Sequence, residues 1–554
     1  MKPVNRREFL DVAGLAGGSI LAGNVSAADA PHALTVGKPP NPTSAAPAND
    51  CKPMQTAPHP MEVQPGARVV VEAPRHTPVS ADVDVLVVGA GPAGIGAALA
   101  AAREGARTLV IERHGMLGGV WTAGLLNPFF DFEKKGWLVA ELIERLKKAG
   151  VWRRWEFSWT FDTEAMKLLL ETTLAEAGAA TWYYSLVADT IVERNRVRGV
   201  VVESKSGREA VLAKVVVDCS GDGDVAARAG VPFQLGRIAD SACQPLTLMF
   251  EIDGLGDWVQ TKAEDLYDRM QEAVHRKQLA VRMPVGRVNF APWIINVPRP
   301  GVAVVQATHV YQINPLDTRQ LTRATSEARR QAHDLVQVMK HVPGLESVRL
   351  VQTAAAIGVR EARHLVGRYT LGLEDMRAGR RFEDGVTFGA FGVDIHDVKP
   401  GEKSAHGARI KPYEIPYRCL VPESLGGLLF AGRCISGTHE AHASYRVTGT
   451  CMAMGQAAGL AAAMAVREGK SPEQIDGPTL RRALEARQVG TKGRSPSNSP
   501  TPCCRVTLPG STTSTSCTAS PTRLARRSTP CSTWRKIRQR RMTWPRDSRI
   551  ASLG

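Results

Sequence analysis

Residues 84–102 read DVLVVGAGPAGIGAALAAA and join a strand to a helix through a glycine-rich turn. The apolar run that ends at Val88 predicts a buried strand. The spacing Gly89-x-Gly91-x-x-Gly94 is typical of a dinucleotide-binding turn. In that turn the first glycine permits the sharp bend, the second admits a diphosphate to the backbone, and the third lets helix and strand pack closely. The helix N-terminus then offers unpaired N–H groups to the diphosphate. The segment therefore predicts dinucleotide binding.

A second strand supports this interpretation. The apolar run Thr108–Ile111 ends at Glu112, 18 residues after Gly94. An acidic residue at this place receives the hydroxyls of an adenosine ribose. Two alternatives exist: a strand–turn–helix without a ligand, and a membrane span, because residues 85–102 carry no charge. The glycines and the proline inside the segment argue against a span.

The next residues carry a resemblance to a known family. After Glu112 the chain reads RHGMLGGVWTAG, with the pair Gly118-Gly119. An acidic residue followed by a Gly-Gly loop resembles the FAD-binding end of flavoproteins with the two-dinucleotide-binding-domain fold. The wider pattern, over residues 82–476, resembles FAD-dependent oxidoreductases related to fumarate-reductase-type flavoproteins. The resemblance implies an α/β fold, in which a Rossmann-like FAD-binding domain carries an inserted α+β substrate domain, and it implies FAD as the cofactor.

Further segments extend the resemblance. Residues 218–224, DCSGDGD, resemble the turn that closes over the nucleotide, and residues 427–433, GLLFAGR, resemble the C-terminal FAD motif. Arg433 stands where the wider superfamily has an aspartate that meets the ribityl chain. The fingerprint and the resemblance together assign cofactor binding to Gly89, Gly91, Pro92, Ala93, Gly94, Glu112, Arg113, Gly118, Gly119, Val187, Gly221, Asp222, Gly432, Arg433 and Thr450.

Redox chemistry on a flavin needs a group that moves the accompanying proton and a group that orients the substrate. Histidine is the readiest proton carrier near neutral pH. His439 and His442 follow the Gly432-Arg433 turn and should lie near the flavin ring, and Arg360 and Arg446 are suited to hold a carboxylate or an enolate-like oxygen. We therefore predict Arg360, His439 and Arg446 as catalytic residues, with His396 and Glu361 as further candidates. For each of them a structural role is the alternative. The chain has no C-x-x-C, and we predict no metal site.

The N-terminus reads MKPVNRREFLDV, and its paired arginines resemble a twin-arginine export signal. The resemblance implies the twin-arginine export machinery as a partner and a periplasmic or secreted location. An amphipathic N-terminal helix is the alternative. The predicted segments are 1–30 (signal peptide), 31–80 (Pro/Ala-rich linker), 81–235 (FAD-binding domain, first part), 236–413 (substrate domain), 414–490 (FAD-binding domain, second part) and 491–554 (basic tail).

Charge is concentrated in the tail. The chain has a formal net charge of +16, and residues 491–554 contain 13 Lys/Arg and one acid, so the tail carries +12 and the remainder about +4. We therefore predict no nucleic-acid partner for the folded body, and no stable membrane insertion. The tail shows no helical or alternating period. It is either a disordered basic extension or an out-of-frame translation of a GC-rich gene.

These observations predict an exported FAD-dependent oxidoreductase that performs two-electron (hydride) redox on a small organic substrate, with an unidentified electron acceptor. One alternative is a non-catalytic or accessory FAD-binding protein that serves polysaccharide breakdown. Another is an inactive, truncated product. No second G-x-G-x-x-G follows a strand, so oxidation of the substrate itself is favoured over direct use of a nicotinamide.

Overall fold

The computed structural model describes residues 61–63, 70–156, 158–256, 258, 263–281, 283, 292–399 and 406–492. The predicted signal peptide, most of the predicted linker and the tail after Lys492 lie outside the described residues. The chain divides into two units at Arg494, and every described residue belongs to the first unit.

Strands account for most of the elements in the described residues. They are β1 (Met61–Val63), β2 (Val70–Glu72), β3 (Val79–Val88), β4 (Thr108–Ile111), β5 (Trp152–Trp155), β6 (Ser158–Phe161), β7 (Ala180–Trp182), β8 (Leu186–Glu193), β9 (Arg196–Ser204), β10 (Gly207–Asp218), β11 (Phe233–Leu235), β12 (Phe250–Asp253), β13 (Trp293–Asn296), β14 (Ala303–Gln306), β15 (Arg349–Thr353), β16 (Arg363–Leu365), β17 (Gly385–Gly389), β18 (Tyr413–Pro416) and β19 (Leu428–Phe430).

Helices alternate with these strands. They are α1 (Pro92–Arg103), α2 (Trp137–Lys148), α3 (Thr163–Glu176), α4 (Asp224–Arg228), α5 (Ala263–Arg276), α6 (Thr318–Met339), α7 (Leu373–Ala378), α8 (His439–Tyr445), α9 (Thr448–Glu468) and α10 (Gly477–Lys492).

A seven-stranded mixed sheet forms the centre of the main lobe. Its order is β7-β4-β3-β10-β9-β8, and β19 pairs with the C-terminal end of β10. Strands β7, β4, β3, β10 and β19 run parallel, whereas β8, β9 and β10 pair antiparallel. The C-terminal half of β3 and all of β4 are buried, which explains why they read as continuous apolar runs. The C-terminal ends of the parallel strands meet at one edge, and the α/β architecture agrees with the sequence prediction.

Helices α1 and α9 pack with their backbones in close contact. A Cβ at Gly455 would lie 1.8 Å from the carbonyl oxygen of Ala93, and one at Gly459 would lie 2.1 Å from that of Ala97. From the other side, a Cβ at Gly96 would lie 2.2 Å from the carbonyl oxygen of Met452. Glycine is therefore required at this interface for steric reasons. Helix α9 is long and apolar enough to span a membrane, but 94% of its apolar window is buried inside the fold.

A second lobe has its own sheet and core. Strands β13, β14, β12 and β15 form an antiparallel sheet in that order, and α5 and α6 contribute side chains to its core. The buried residues of this core run from Phe250 to Val348. Residues from Leu365 to Tyr413 pack instead into the core of the main lobe. The separately packed lobe is therefore narrower than the predicted segment 236–413, because β16 returns to pair with β11 at the edge of the main lobe.

The predicted linker contains local structure at its end. Strands β1 and β2 pair antiparallel, and β3 begins at Val79, inside the segment predicted as linker. Valine, which is enriched in strands, occurs in each of these stretches and favours extended pairing. At the other boundary, α10 continues to Lys492, two residues beyond the predicted end of the folded body.

Candidate active site

A cavity of about 310 Å³ lies at the C-terminal ends of the parallel strands. It is lined by the turn between β3 and α1, by the segment after β10, by the start of α9, and by residues of the second lobe. Ligands of open α/β sheets bind beyond the carboxyl ends of the strands. The position of the cavity therefore makes it the candidate active site.

The glycine-rich turn has the geometry that its spacing predicts. Gly89 adopts a φ of +91°, and a Cβ there would lie 2.5 Å from the carbonyl oxygen of Cys219. A Cβ at Gly94 would lie 1.8 Å from the carbonyl oxygen of Gly89, which locks the turn against the helix. At Gly91, by contrast, no described atom lies within 4 Å of the Cβ position. This open space at the N-terminus of α1 suits a diphosphate.

Glu112 lies at the end of β4 and lines the cavity. Its side chain is fixed, because Oε2 accepts a hydrogen bond from the Ala90 N–H at 2.8 Å and Oε1 accepts one from the His114 N–H at 2.9 Å. The carboxylate is 5% exposed and retains lone pairs for further donors. The arrangement agrees with the predicted contact to a ribose.

An arginine and an aspartate pair at the next part of the cavity. Nη2 of Arg433 lies 2.9 Å from Oδ1 of Asp222. Burial lowers the pKa of Arg433 and the Asp222 carboxylate raises it, with a net rise. The positive charge where the superfamily has an aspartate is therefore balanced within the chain, and Arg433 remains able to donate to a polar ligand.

Three buried polar atoms of cavity-lining residues have no hydrogen-bond partner in the described part of the chain. They are Nη1 of Arg433, Nε of Arg446 and Oγ1 of Thr448. A buried polar group without a partner costs about 1–3 kcal/mol, so such groups indicate a missing ligand. Together with the glycine turn and Glu112, they show that the residues present fit the cofactor implied by the sequence.

Most of the predicted cofactor residues line the cavity: Gly89, Gly91, Pro92, Ala93, Glu112, Arg113, Gly119, Val187, Gly221, Asp222, Gly432 and Arg433. Gly94 and Gly118 do not; the first packs under the turn, and the second donates its N–H to the carbonyl of Ala90 at 2.8 Å.

Thr450 also does not line the cavity. Its hydroxyl donates to Oδ2 of Asp131 at 2.8 Å, and the side chain is fully buried. Thr448 lines the cavity instead. Residues two positions apart on a helix are separated by about 200° of rotation. Thr448 and Thr450 therefore lie on nearly opposite faces of α9.

Arg360 carries a buried positive charge into the cavity. Its Nη1 donates to the carbonyl of Pro245 and to the hydroxyl of Thr247, both at 2.7 Å. Among the described residues no carboxylate lies within 4 Å of this guanidinium, although its exposed fraction is only 9%. Burial and the charge of Arg446 lower the pKa of Arg360 to about 9, so it remains a cation at neutral pH.

Arg446 forms an ion pair with Asp394, whereas Arg360 has no direct ion pair among the described residues. Its Nη2 lies 3.0 Å from Oδ2 of Asp394, and the same carboxylate oxygen is 3.5 Å from Nε2 of His396. Nδ1 of His396 lies 3.1 Å from Nε2 of His309. Burial lowers the pKa of His396 to about 4, which keeps the imidazole neutral at neutral pH. His309 carried no sequence signal, because the two histidines are 87 positions apart and meet only in the fold.

The predicted catalytic residue His439 does not line the cavity. It is the first residue of α8, and its Nδ1 lies 2.7 Å from Oε1 of Glu361. Nε2 of His364 lies 2.9 Å from the same oxygen, and Oε2 of Glu361 accepts the N–H of Gln244 at 3.1 Å. The pKa of Glu361 is lowered, since the two imidazoles outweigh the effect of burial. Burial lowers the pKa of the nearby His442. We predicted His439 near the flavin because it follows the Gly432-Arg433 turn in the chain. In the structure it is the first residue of α8, and its ring contacts Glu361 instead.

A comparison with protein families matches residues 84–484 to the family described as "FAD dependent oxidoreductase". Among curated relatives, the thiamine thiazole synthase of Methanococcus maripaludis is 33% identical over 154 residues, which are 25% of this chain and 56% of the relative. The thiamine thiazole synthase of Aeropyrum pernix is 37% identical over 123 residues, 22% of this chain and 43% of the relative. The chain spans about half the length of these relatives.

Solved structures are more distant in sequence. A geranylgeranyl bacteriochlorophyll reductase-like protein from Thermoplasma acidophilum is 16% identical with a TM-score of 0.39, and the match covers 73% of this chain and 83% of that one. The flavin-dependent brominase Bmp2 is 12% identical with a TM-score of 0.40, covering 74% and 85%. At this level of similarity neither structure bears on the activity of this chain.

Proposed function

Because this chain belongs to the FAD-dependent oxidoreductase family, with FAD as its cofactor, we propose that it transfers two electrons, as a hydride, between FAD and a small organic substrate that carries a carboxylate or an enolate-like oxygen. FAD supplies the electron-accepting ring when it is bound. The chain's own residues hold the substrate, exclude water and move the accompanying proton.

The observation that carries this proposal is the charge of Arg360. Arg360 forms no direct ion pair in the described chain, and the Asp394 carboxylate that offsets part of its charge is already bonded to Arg446, so an anion that reaches the guanidinium would be stabilised. Arg360 lines the same cavity as the glycine turn, and Pro245 and Thr247 fix its orientation. A substrate carboxylate or enolate-like oxygen is the anion of matching size and donor geometry.

His396 is the residue that we propose for proton transfer. It lines the cavity, and burial keeps its imidazole in the neutral form that accepts a proton. Asp394 faces Nε2 and stabilises the imidazolium that would form, whereas Nδ1 would accept the proton once the substrate takes the place of its present contact with His309. Arg446, which is paired with Asp394, orients this carboxylate rather than the substrate.

Anaerobic mixing of the purified holoprotein with a panel of small organic acids tests the proposal. We expect at least one acid to bleach the flavin absorbance, and the amide or ester of the same compound to bleach it more slowly. Bleaching that is equal for the acid and its neutral derivative would contradict the anionic substrate. FAD-bound protein that no compound bleaches would favour the accessory role.

The pH dependence of flavin reduction tests His396. The neutral imidazole exists above its folded-state pKa, so the rate is constant at neutral pH and falls as the pH decreases through about 4. An unperturbed histidine would place this limb near 6.5. We expect His396→Asn to lower the rate by about 100-fold and to remove the limb. Stopped-flow reduction after a pH jump measures the rate and its dependence on pH. If the rate of the variant still falls as the pH decreases through about 4, another residue transfers the proton.

We also infer the finer features of the family resemblance. The antiparallel β8–β10 unit beside a parallel sheet, and the separate lobe between β11 and β16, support the two-dinucleotide-binding-domain type with an inserted α+β substrate domain and fumarate-reductase-type relatives. The paired Arg6-Arg7 supports export by the twin-arginine machinery to the periplasm or beyond. N-terminal sequencing of the exported protein should begin near residue 30; an intact Met1 in that fraction would refute processing.

A further inference from the structure

Beneath the cavity, three buried side chains from two segments of the chain converge. One ligand atom from each of Glu361, His364 and His442 lies within 4.8 Å of the other two. Their exposed fractions are 0%, 4% and 1%. None of the three lines the cavity, so this Glu361 cluster is separate from the candidate active site.

The cluster contains ring nitrogens that the described part of the chain leaves without a hydrogen-bond partner. They are Nδ1 and Nε2 of His442 and Nδ1 of His364. A buried polar nitrogen without a partner costs about 1–3 kcal/mol, and both ring nitrogens of His442 lack one. An ion held by Glu361 Oε1 and His364 Nε2 would take up one nitrogen of His442 and leave Nδ1 of His364 unchanged. The His442 ring packs edge-on against His364 and Tyr445, and an apolar aromatic side chain could make these contacts without that cost. The unpartnered nitrogens therefore indicate a ligand.

We propose that Glu361, His364 and His442 bind a divalent transition-metal ion. Two imidazoles and one carboxylate are a donor set that suits Zn²⁺ and Fe²⁺. Ligands at about 2.0–2.2 Å from such an ion lie about 3.4 Å apart in a tetrahedron. Glu361 Oε1 and His364 Nε2 are 2.9 Å apart, so a metal ion would replace their hydrogen bond, while the His442 ring would complete the set.

The surroundings suit a cation. The Glu361 carboxylate is already oriented by His439 Nδ1 and by the Gln244 N–H, as outer contacts commonly orient a metal ligand. Two arginines act electrostatically on His442, but each is paired with an aspartate: Arg433 with Asp222, and Arg446 with Asp394. The positive charge near the cluster is thus balanced, and the negative charge of Glu361 is available to the ion.

Such an ion would be structural. Glu361 directly follows Arg360, and His442 lies in α8, so the ion would join the arginine segment to the helix beside the cavity. Arg360 would then bind the substrate, and the metal ion would hold in place the segment that contains Arg360 and Glu361. This makes metal loading measurable independently of catalysis.

Metal analysis of the full-length holoprotein tests the site. Protein produced in medium with zinc and iron, then desalted in chelator-free buffer, should contain about one Zn²⁺ or Fe²⁺ per chain, and elemental analysis distinguishes the two ions. In a second arm, chelator-treated protein is titrated with Co²⁺, whose visible bands should report mixed nitrogen and oxygen ligation. Absence of stoichiometric metal together with absence of Co²⁺ binding would overturn the proposal and leave a hydrogen-bonded cluster.

Variants identify the ligands. His442→Gln and Glu361→Gln should lower metal content at least tenfold, whereas His309→Gln, which replaces a buried histidine outside the cluster, should keep it. Flavin absorbance of each variant reports folding. If Glu361→Gln does not fold, His442→Gln and the Co²⁺ spectrum of the wild type still decide. Wild-type metal content in a folded His442→Gln protein would refute the assignment.

Discussion

Gly455→Ala is expected to abolish FAD binding and to destabilise the fold by about 3 kcal/mol. The new Cβ would lie 1.8 Å from the carbonyl oxygen of Ala93, where real contacts of this kind exceed 3.0 Å. Neither atom belongs to a flexible side chain, so α1 and α9 must separate by more than an ångström. Ala93 lies in the first turn of α1, and the displaced turn is the one that we expect to hold the diphosphate.

Thermal unfolding and flavin content of the purified variant measure this effect. Gly392→Ala is the matched control, because no described atom lies within 4 Å of its Cβ position and its backbone is not in the left-handed region. We expect the control to keep its flavin and its midpoint within about 2 °C. A Gly455→Ala protein with wild-type flavin content and midpoint would show that the two helices are not held in contact as described.

Arg360→Met is expected to lower the rate of flavin reduction by about 1,000-fold while FAD stays bound. Methionine keeps the apolar part of the side chain and removes the charge. Loss of one donor to a developing oxyanion costs about 10²–10³-fold, and loss of the partner of a buried anion costs about 2–5 kcal/mol. The effect falls on substrate binding and on the redox step, since both depend on the same guanidinium.

Stopped-flow reduction over a range of substrate concentrations separates the two contributions. Arg329→Met, at an exposed position on α6, is the control and should behave as the wild type. Arg360→Lys keeps the charge but not the planar fork, and should recover part of the loss. Rates for Arg360→Met within threefold of the wild type would remove Arg360 from the mechanism. Loss of FAD from this variant would instead make it a cofactor-binding residue.

The cavity explains why both effects are large. The part of the cavity at the glycine turn is backbone, held by the contact of α1 with α9 and by the Glu112 carboxylate, whereas the part at Arg360 is built from charged side chains of distant segments. Packed backbone cannot move enough to accept the added methyl group of Gly455→Ala. When Arg360→Met removes the guanidinium, water does not supply the positive charge that the substrate oxygen needs. A substitution on either side therefore removes a complete function rather than weakening it.

The sequence was most informative where the chemistry is local. The turn at Gly89, Gly91 and Gly94 needs only neighbouring residues and their backbone angles, so its spacing predicts its geometry. Glu112 follows from the end of the next strand, and the family match confirms the predicted FAD-dependent oxidoreductase and its cofactor. The roles assigned to single side chains at the cavity stay predictions.

Contacts between distant segments were decided only by the tertiary structure. Position in the chain favoured His439, but the fold directs that ring to Glu361 and brings His309 against His396, which lines the cavity. The family resemblance assigned Thr450 to the cofactor, but the rotation of α9 presents Thr448 to the cavity. The missing acidic partner of Arg360 is likewise a property of its neighbours in space. By itself the sequence determined the cofactor and the strand–turn–helix of β3 and α1, because backbone conformation is encoded locally. Which side chains face the cavity depended on packing between segments far apart in the chain.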